Sequence, residues 1–132
     1  MSSELSSIAG REYPPVEFHI EAEHVAAFAR AIEADPAVGV PPTYAAVYAL
    51  WTTAPQLFAD AEAAVDFGRL VHAEQEFAWE RHPEVGETIT AQGKVAADLE
   101  RRGARFITFE TACRAADGSP LCSSRALFVV RP

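Results

Sequence analysis

The chain has 132 residues, of which 49% are apolar and 23% charged, with 19 acidic side chains against 11 basic ones. That length carries one substantial core and not two, and the composition is that of an ordinary globular domain. The acidic balance leaves no basic stripe for phosphate contacts, so no nucleic-acid partner is expected.

The first residues, "MSSELSSIAGREYPP", lack the basic region and apolar run of a secretory leader, and no later apolar segment is long enough to span a bilayer. No membrane contact is expected, and a cytoplasmic location follows by default. Residues 1–13 read as a flexible lead, with a single domain over residues 14–132. Pro14 and Pro15 introduce "VEFHI", in which Val16, Phe18 and Ile20 alternate with Glu17 and His19, which predicts a first strand. From Glu21 the spacing becomes helical (Val25, Phe28, Ala29, Ile32), with Glu21 and Glu23 in the first turn. Pro36 and Gly39 stop it.

Residues 43–58 leave almost no polar face: Tyr44, Ala45, Ala46, Val47, Tyr48, Ala49, Leu50 and Trp51 follow one another. A helix apolar all round is buried all round. Pro41 and Pro42 suit its first turn, and Pro55 should end or kink it. Residues 59–68 read as a short acidic connection or a last turn.

After Phe67 the period is two. In "LVHAEQEFAWERHP", Val71, Ala73, Phe77 and Trp79 fall on one face, with His72, Glu74, Glu76 and Glu80 on the other; in "ETITAQGKVAADLE", Ile89, Ala91, Val95, Ala97 and Leu99 share the apolar face. Two further strands, "RFITFETACRA" and "PLCSSRALFVV", flank "ADGS", a strong hairpin signal. With Asp117 and Gly118 as the two turn residues, Ile107 faces Phe128, Phe109 faces Ala126, Cys113 faces Cys122, and Glu110 faces Arg125 on the opposite side. The expected fold is α+β: an antiparallel sheet of about five strands wrapped around one long apolar helix, the hot-dog architecture.

Three stretches, "FARAIEADP", "VPPTYAAVYAL" and "VHAEQEFAWERHPEVGETIT", together resemble the MaoC-like hydratases and dehydratases. Within that family they resemble the branch with a FAS1-like dehydratase domain, which includes small subunits of mycobacterial (3R)-hydroxyacyl-ACP dehydratases. The most distinctive piece is the His-x-x-x-x-Phe-x-x-x-Arg-x-Pro-x-x-Gly pattern from His72 to Gly86. Catalytic members of the family carry D-x-N-P-x-H after the first helix. Removing water from a 3-hydroxyacyl thioester needs a base for a weakly acidic carbon-bound proton and a proton donor for the departing hydroxide. Aligned on its proline, the motif falls on Glu33, Ala34, Asp35, Pro36, Ala37 and Val38. Glu33 stands for the aspartate and Asp35 for the asparagine, while Val38 holds the histidine's place and cannot carry a proton. The resemblance therefore implies a vestigial site at Glu33, Asp35 and Val38, with no catalytic pair in this chain.

The other candidates each have a plain alternative. Hot-dog enzymes hold the thioester carbonyl with backbone N–H groups where the central helix begins, here those of Thr43, Tyr44 and Ala45; alternatively Thr43 only caps the helix. Gln75, a polar residue on an apolar strand face, either lines an acyl pocket or bonds to the central helix. Tyr44, Tyr48, Trp51 and Trp79 either wall an acyl tunnel or are core. His72 reads as a surface or edge residue, the alternative being a substitute for the missing histidine. Cys113 and Cys122 read as free thiols. No ligand spacing is present, and neither metal nor cofactor is expected.

The implied function is a hot-dog subunit of a (3R)-hydroxyacyl-thioester dehydratase or enoyl-thioester hydratase, in fatty acid or polyketide metabolism, that contributes acyl-chain binding and dimerisation. Its partners would be an acyl-CoA or acyl-ACP thioester and a catalytic MaoC-like subunit, in a homo- or hetero-oligomer. The rivals are a self-sufficient homodimeric hydratase or thioesterase and a non-enzymatic acyl or small-molecule binding module.

Overall fold

The computed structural model describes residues 7–132. Strand β1 (Val16–His19) is followed by helix α1 (Ala22–Ala31) and two 3-10 turns, Pro36–Val38 and Pro42–Tyr44. A π-helical segment, Ala46–Trp51, runs directly into α2 (Thr52–Ala59). A 3-10 turn at Phe67–Arg69 then leads into β2 (Leu70–Trp79), β3 (Thr88–Arg101), β4 (Ala104–Arg114) and β5 (Pro120–Val130). The strands form one five-stranded sheet in the order β1-β3-β4-β5-β2, every neighbouring pair antiparallel.

The helical run from Pro42 to Ala59 is the rod that this sheet wraps, and the fold is the expected hot-dog. Its first half packs Tyr44, Ala45, Tyr48 and Ala49 against Ile20, Val25, Ile89 and Leu121. Its second half packs Leu50, Ala54 and Leu57 against Val95, Ile107, Phe109 and Phe128. Among the described residues no helix is long and apolar enough to cross a membrane.

Pro55 neither ends nor interrupts this run; it lies inside α2. Its ring would crowd the carbonyl one turn back and it has no N–H to offer there. The segment immediately before it is wound wider, and hydroxyls supply donors: Thr52 Oγ1 donates to Val47 O at 2.9 Å and Thr53 Oγ1 to Ala49 O at 2.8 Å. A π-helical widening is one way a helix absorbs such a residue.

The lead expected over residues 1–13 lies outside the described residues as far as residue 6, and from Ile8 to Tyr13 the structure corrects it. Gly10 N–H donates to Val95 O at 2.7 Å, Val95 N–H to Arg11 O at 2.8 Å and Tyr13 N–H to Gly93 O at 2.9 Å, so this stretch lies along β3. Ile8 and Tyr13 are buried. The stretch is pinned by charge as well: Tyr13 Oη donates to Asp60 Oδ2 at 2.7 Å, as does Arg11 Nη1 at 2.7 Å. Two apolar residues five positions apart, with Gly10 between them at φ +89°, give no strand period to read.

The β4–β5 register is as expected, with Ile107 opposite Phe128, Phe109 opposite Ala126, Glu110 opposite Arg125 and Cys113 opposite Cys122. The turn that produces it is not the two-residue one. Gly118 N–H donates to Ala115 O and Ala115 N–H to Ser119 O, both at 2.9 Å, which closes a three-residue loop with Gly118 at φ +87°. A register shift between Cys113 and Arg114 then cancels the extra residue. Two local features expected wrongly or not at all thus offset each other.

Strand β2 holds a second irregularity, a bulge between His72 and Glu74. Directly opposed residues of an antiparallel pair point to the same face. His72 opposes Phe128 and Gln75 opposes Ala126, both buried partners, while Val71 opposes Val129 and Glu76 opposes Arg125. His72 therefore shares the helix-side face with Gln75, Phe77 and Trp79, and Val71 lies on the outer face. The sequence alternation places these two residues the other way round because it carries no mark of the extra residue.

Candidate functional site

The acidic stretch after α1 is built by backbone geometry. Glu33 N–H donates to Arg30 O at 3.1 Å and Ala34 N–H to Ala29 O at 2.8 Å, the paired bonds that close a helix with its next residue left-handed. That residue is Glu33, at φ +60°, where glycine is usual. Asp35 caps the following 3-10 turn, its Oδ1 accepting from Ala37 N–H at 2.9 Å. Val38 is 84% exposed. Glu33 and Asp35 are not buried either, so the positions that align with the catalytic motif stand on a solvent-facing turn.

The start of the central run is closed by its own tight turns. Tyr44 N–H donates to Pro41 O at 2.9 Å, and Ala45 N–H bonds to Pro42 O and Thr43 O. Two of the three backbone donors considered for a carbonyl anchor are therefore already used in this conformation. Thr43 is exposed, whereas Tyr44, Ala45 and Tyr48 are fully buried.

Tyr44 is the hub of an aromatic cluster. Phe28 meets it edge-on at 5.1 Å between ring centroids, His24 edge-on at 5.5 Å, and Tyr48 and Phe18 tilted at 6.2 and 6.4 Å. His24 Nδ1 hydrogen-bonds the Tyr44 hydroxyl. Burial first, and the nearby Glu21 second, raise the Tyr44 pKa, so the phenol keeps its proton. A reading that looks only downstream of the acidic turn misses His24. Its spacing of four from Phe28, on the apolar stripe of α1, was the available signal.

Tyr48 accepts a bond at 3.1 Å from Trp79 Nε1. Burial is the main cause that drives its pKa far upward, with Cys122 and Cys113 adding to it. Burial likewise pushes the Cys113 thiol up to about 12, and both cysteines are free. Trp79 remains 37% exposed, so it joins the buried tyrosine to the surface.

Gln75 begins a polar row on the helix side of the sheet. Its Nε2 donates to Ser124 Oγ at 2.8 Å and to Glu76 O at 3.1 Å, and its Oε1 accepts from His72 Nε2 at 3.0 Å. Ser124 is the register partner of Thr111, whose hydroxyl lies 2.9 Å from Thr53 Oγ1 on α2. Thr53, Thr111 and Ser124 are all buried, so this row crosses the core from the central helix to the edge strand. The sequence singled out Gln75 but not the chain of hydroxyls behind it.

The family model for the FAS1-like dehydratase domain region matches residues 7–124. The chain belongs to that family. A UPF0336 protein of Leifsonia xyli is 31% identical over 141 aligned positions, covering 95% of this chain and 94% of that one. Among solved structures, the chain is similar to the HadBC (3R-hydroxyacyl-ACP dehydratase) complex of Mycobacterium tuberculosis, with TM-score 0.74 and 22% identity over 93% of this chain and 97% of that one. It is also similar to the (R)-hydratase of A. caviae, with TM-score 0.65 and 21% identity over 96% and 98%. At those identities the structural likeness speaks for the hot-dog fold, and membership of the FAS1-like dehydratase family rests on the family match.

Proposed function

We propose that the chain is an acyl-thioester-binding hot-dog subunit of a (3R)-hydroxyacyl dehydratase or enoyl hydratase, and that it lacks an acid–base pair of its own. The observation that carries this is Val38. It falls where the family motif has its histidine, it is 84% exposed, and an isopropyl group transfers no proton. The neighbouring carboxylates support the reading, since Asp35 is committed to capping a turn and Glu33 is the left-handed residue of a helix end. The reaction of the assembled enzyme would be reversible addition of water to an enoyl thioester, acyl-CoA or acyl-ACP, with the acid and base supplied by a partner subunit that retains D-x-N-P-x-H. The similarity to the HadBC complex, itself a hetero-assembly, favours such a partner.

Here Trp79 and Gln75 would meet the acyl chain from β2, and Thr43 would meet the thioester end at the start of the central run. Tyr44, Ala45 and Tyr48 support them from the core. Purified chain assayed alone with crotonyl-CoA should show no turnover above the uncatalysed rate, and a partner bearing the intact motif should restore it. Turnover by the isolated chain would refute the proposal.

One observation favours a second reading. His24 stands beside the first turn of the central run, bonded to Tyr44, where an imidazole could serve a self-sufficient hydratase. If the isolated chain is active and His24→Ala abolishes that activity while His72→Ala does not, this second reading replaces the first.

A further inference from the structure

The outer face of the sheet carries two rows whose order across the strands follows from the register. In one, Lys94 of β3 faces Glu110 of β4, which faces Arg125 of β5, which faces Glu76 of β2. The charges alternate as plus, minus, plus, minus. In the other, Leu99, Phe106, Val129 and Val71 follow the same strand order and are all apolar. Leu99 is 55% exposed and Val71 42%, and Phe106 and Val129 are half-buried. The rows lie four residues apart along β4 and β5, or about 14 Å at the rise of an antiparallel strand. Bulges between Val95 and Ala97 and between His72 and Glu74 put Leu99 and Val71 on this face. The charged row also borders an open depression of about 520 Å³.

We propose that this face pairs with the same face of a second copy of the chain, about a two-fold axis parallel to the strands and passing between β4 and β5. Such an axis reverses each row onto itself. Lys94 then faces Glu76 of the other copy, and Glu110 faces Arg125 of the other copy, so all four contacts join opposite charges. The apolar row meets itself in the same operation, Leu99 against Val71 and Phe106 against Val129. A row ordered plus, plus, minus, minus would also match under this axis, but a row carrying one sign would not, and an apolar row shifted to one edge of the sheet would miss itself. Within this charged row, among the described residues, only the Arg125–Glu76 pair is bridged, at 3.8 Å, and both members are well exposed, which leaves Lys94 and Glu110 available across the interface. Glu12 bridges Lys94 along the backbone beyond the end of the matched row. Sheets packed face to face keep their strands within about 30° of each other, which this axis allows. Four strands about 4.8 Å apart over about 20 Å of length give roughly 400 Å² of face per copy, at the low end for a protein interface, so the association is concentration-dependent. This contact uses the face of the sheet and leaves the free edge of β2 for other pairing. It does not depend on the proposed chemistry.

The test is sedimentation velocity of the full chain over a wide concentration range. Glu110→Arg alone, or Arg125→Glu alone, brings like charges together at two symmetric places and should weaken self-association by about tenfold or more. An equimolar mixture of the two variants should associate as the natural chain does. In the mixed pair the two substituted side chains, now of opposite sign, face each other, and the natural Arg125 of the first variant faces the natural Glu110 of the second. Leu99→Lys, at an exposed site that leaves the core intact, should also weaken it, and thermal melts confirm that each variant is folded. A natural chain of constant mass at every concentration, variants whose association is unchanged, or single variants that fail to recover on mixing would each overturn the proposal.

Discussion

Replacing Glu33 by glycine should stabilise the protein. Glu33 sits at φ +60° as the residue that closes α1. Holding an L-residue there costs about 1–2 kcal/mol, whereas glycine adopts it freely. Glycine is also freer in the unfolded chain, which returns about 0.5–1 kcal/mol of that gain. The net expectation is roughly 0.5–1 kcal/mol of added stability. For 132 residues an average unfolding entropy is about 0.28 kcal/mol/K, so Tm should rise by about 2–4 °C. Calorimetry on the natural chain and Glu33→Gly reads this directly, and the variant should support turnover in the assembled enzyme as well as the natural chain does. A lower Tm would show that the Glu33 side chain makes a stabilising contact that outweighs the backbone strain. A loss of turnover with the fold intact would show that the carboxylate works and that the strain is retained for that purpose.

Gly93 admits no side chain: a Cβ there would come within 2.4 Å of Phe109 Cζ, so Gly93→Ala should cost about 1–3 kcal/mol in a urea titration. Arg105 grips Asp98 through two bonds, at 2.8 and 3.0 Å, with side-chain exposures of 16% and 4%. Burial acts to raise the Asp98 pKa, and the bonds from Arg105 and Ile8 N–H more than offset it. Asp98→Ala leaves the guanidinium without its partner and should cost about 3 kcal/mol, the low end for a broken buried pair because Arg105 still reaches some water. Hydrogen bonds from Tyr13 first and Arg11 second hold the Asp60 carboxyl down to about 2. A depressed carboxyl stabilises the fold above its unfolded pKa and loses that contribution as pH falls through the folded one. The stability gap between the natural chain and Asp60→Asn should therefore hold above about pH 4 and close toward pH 2, followed by urea midpoints across that window.

The rod and the wrap were legible because their signals are local and redundant. Eight consecutive apolar residues from Tyr44 to Trp51 mark the rod, although Trp51 is 50% exposed, and the strands after Phe67 alternate cleanly. What was illegible is set by single inserted residues. The bulge in β2 sends His72 to the helix side with no change in composition, and the shift near Cys113 repairs a turn one residue longer than expected. The docked stretch from Ile8 to Tyr13 has too few apolar residues to show a period. At the site, the valine standing at the motif's histidine position could be read by aligning one proline. The row from His72 through Gln75 and Ser124, and on by way of Thr111 to Thr53, joins residues on four separate elements, and no spacing in the sequence announces it.

The central claim is that this chain binds the acyl thioester but does not itself move the protons. Single-turnover hydration of crotonyl-CoA, compared for the isolated chain and for the chain with a MaoC-like subunit bearing intact D-x-N-P-x-H, tests it most directly. The account predicts no product from the isolated chain, product from the mixture, and little change in the mixture when Glu33 and Asp35 are both replaced by alanine. Robust hydration by the isolated chain that disappears in the Glu33→Ala, Asp35→Ala double variant would contradict it.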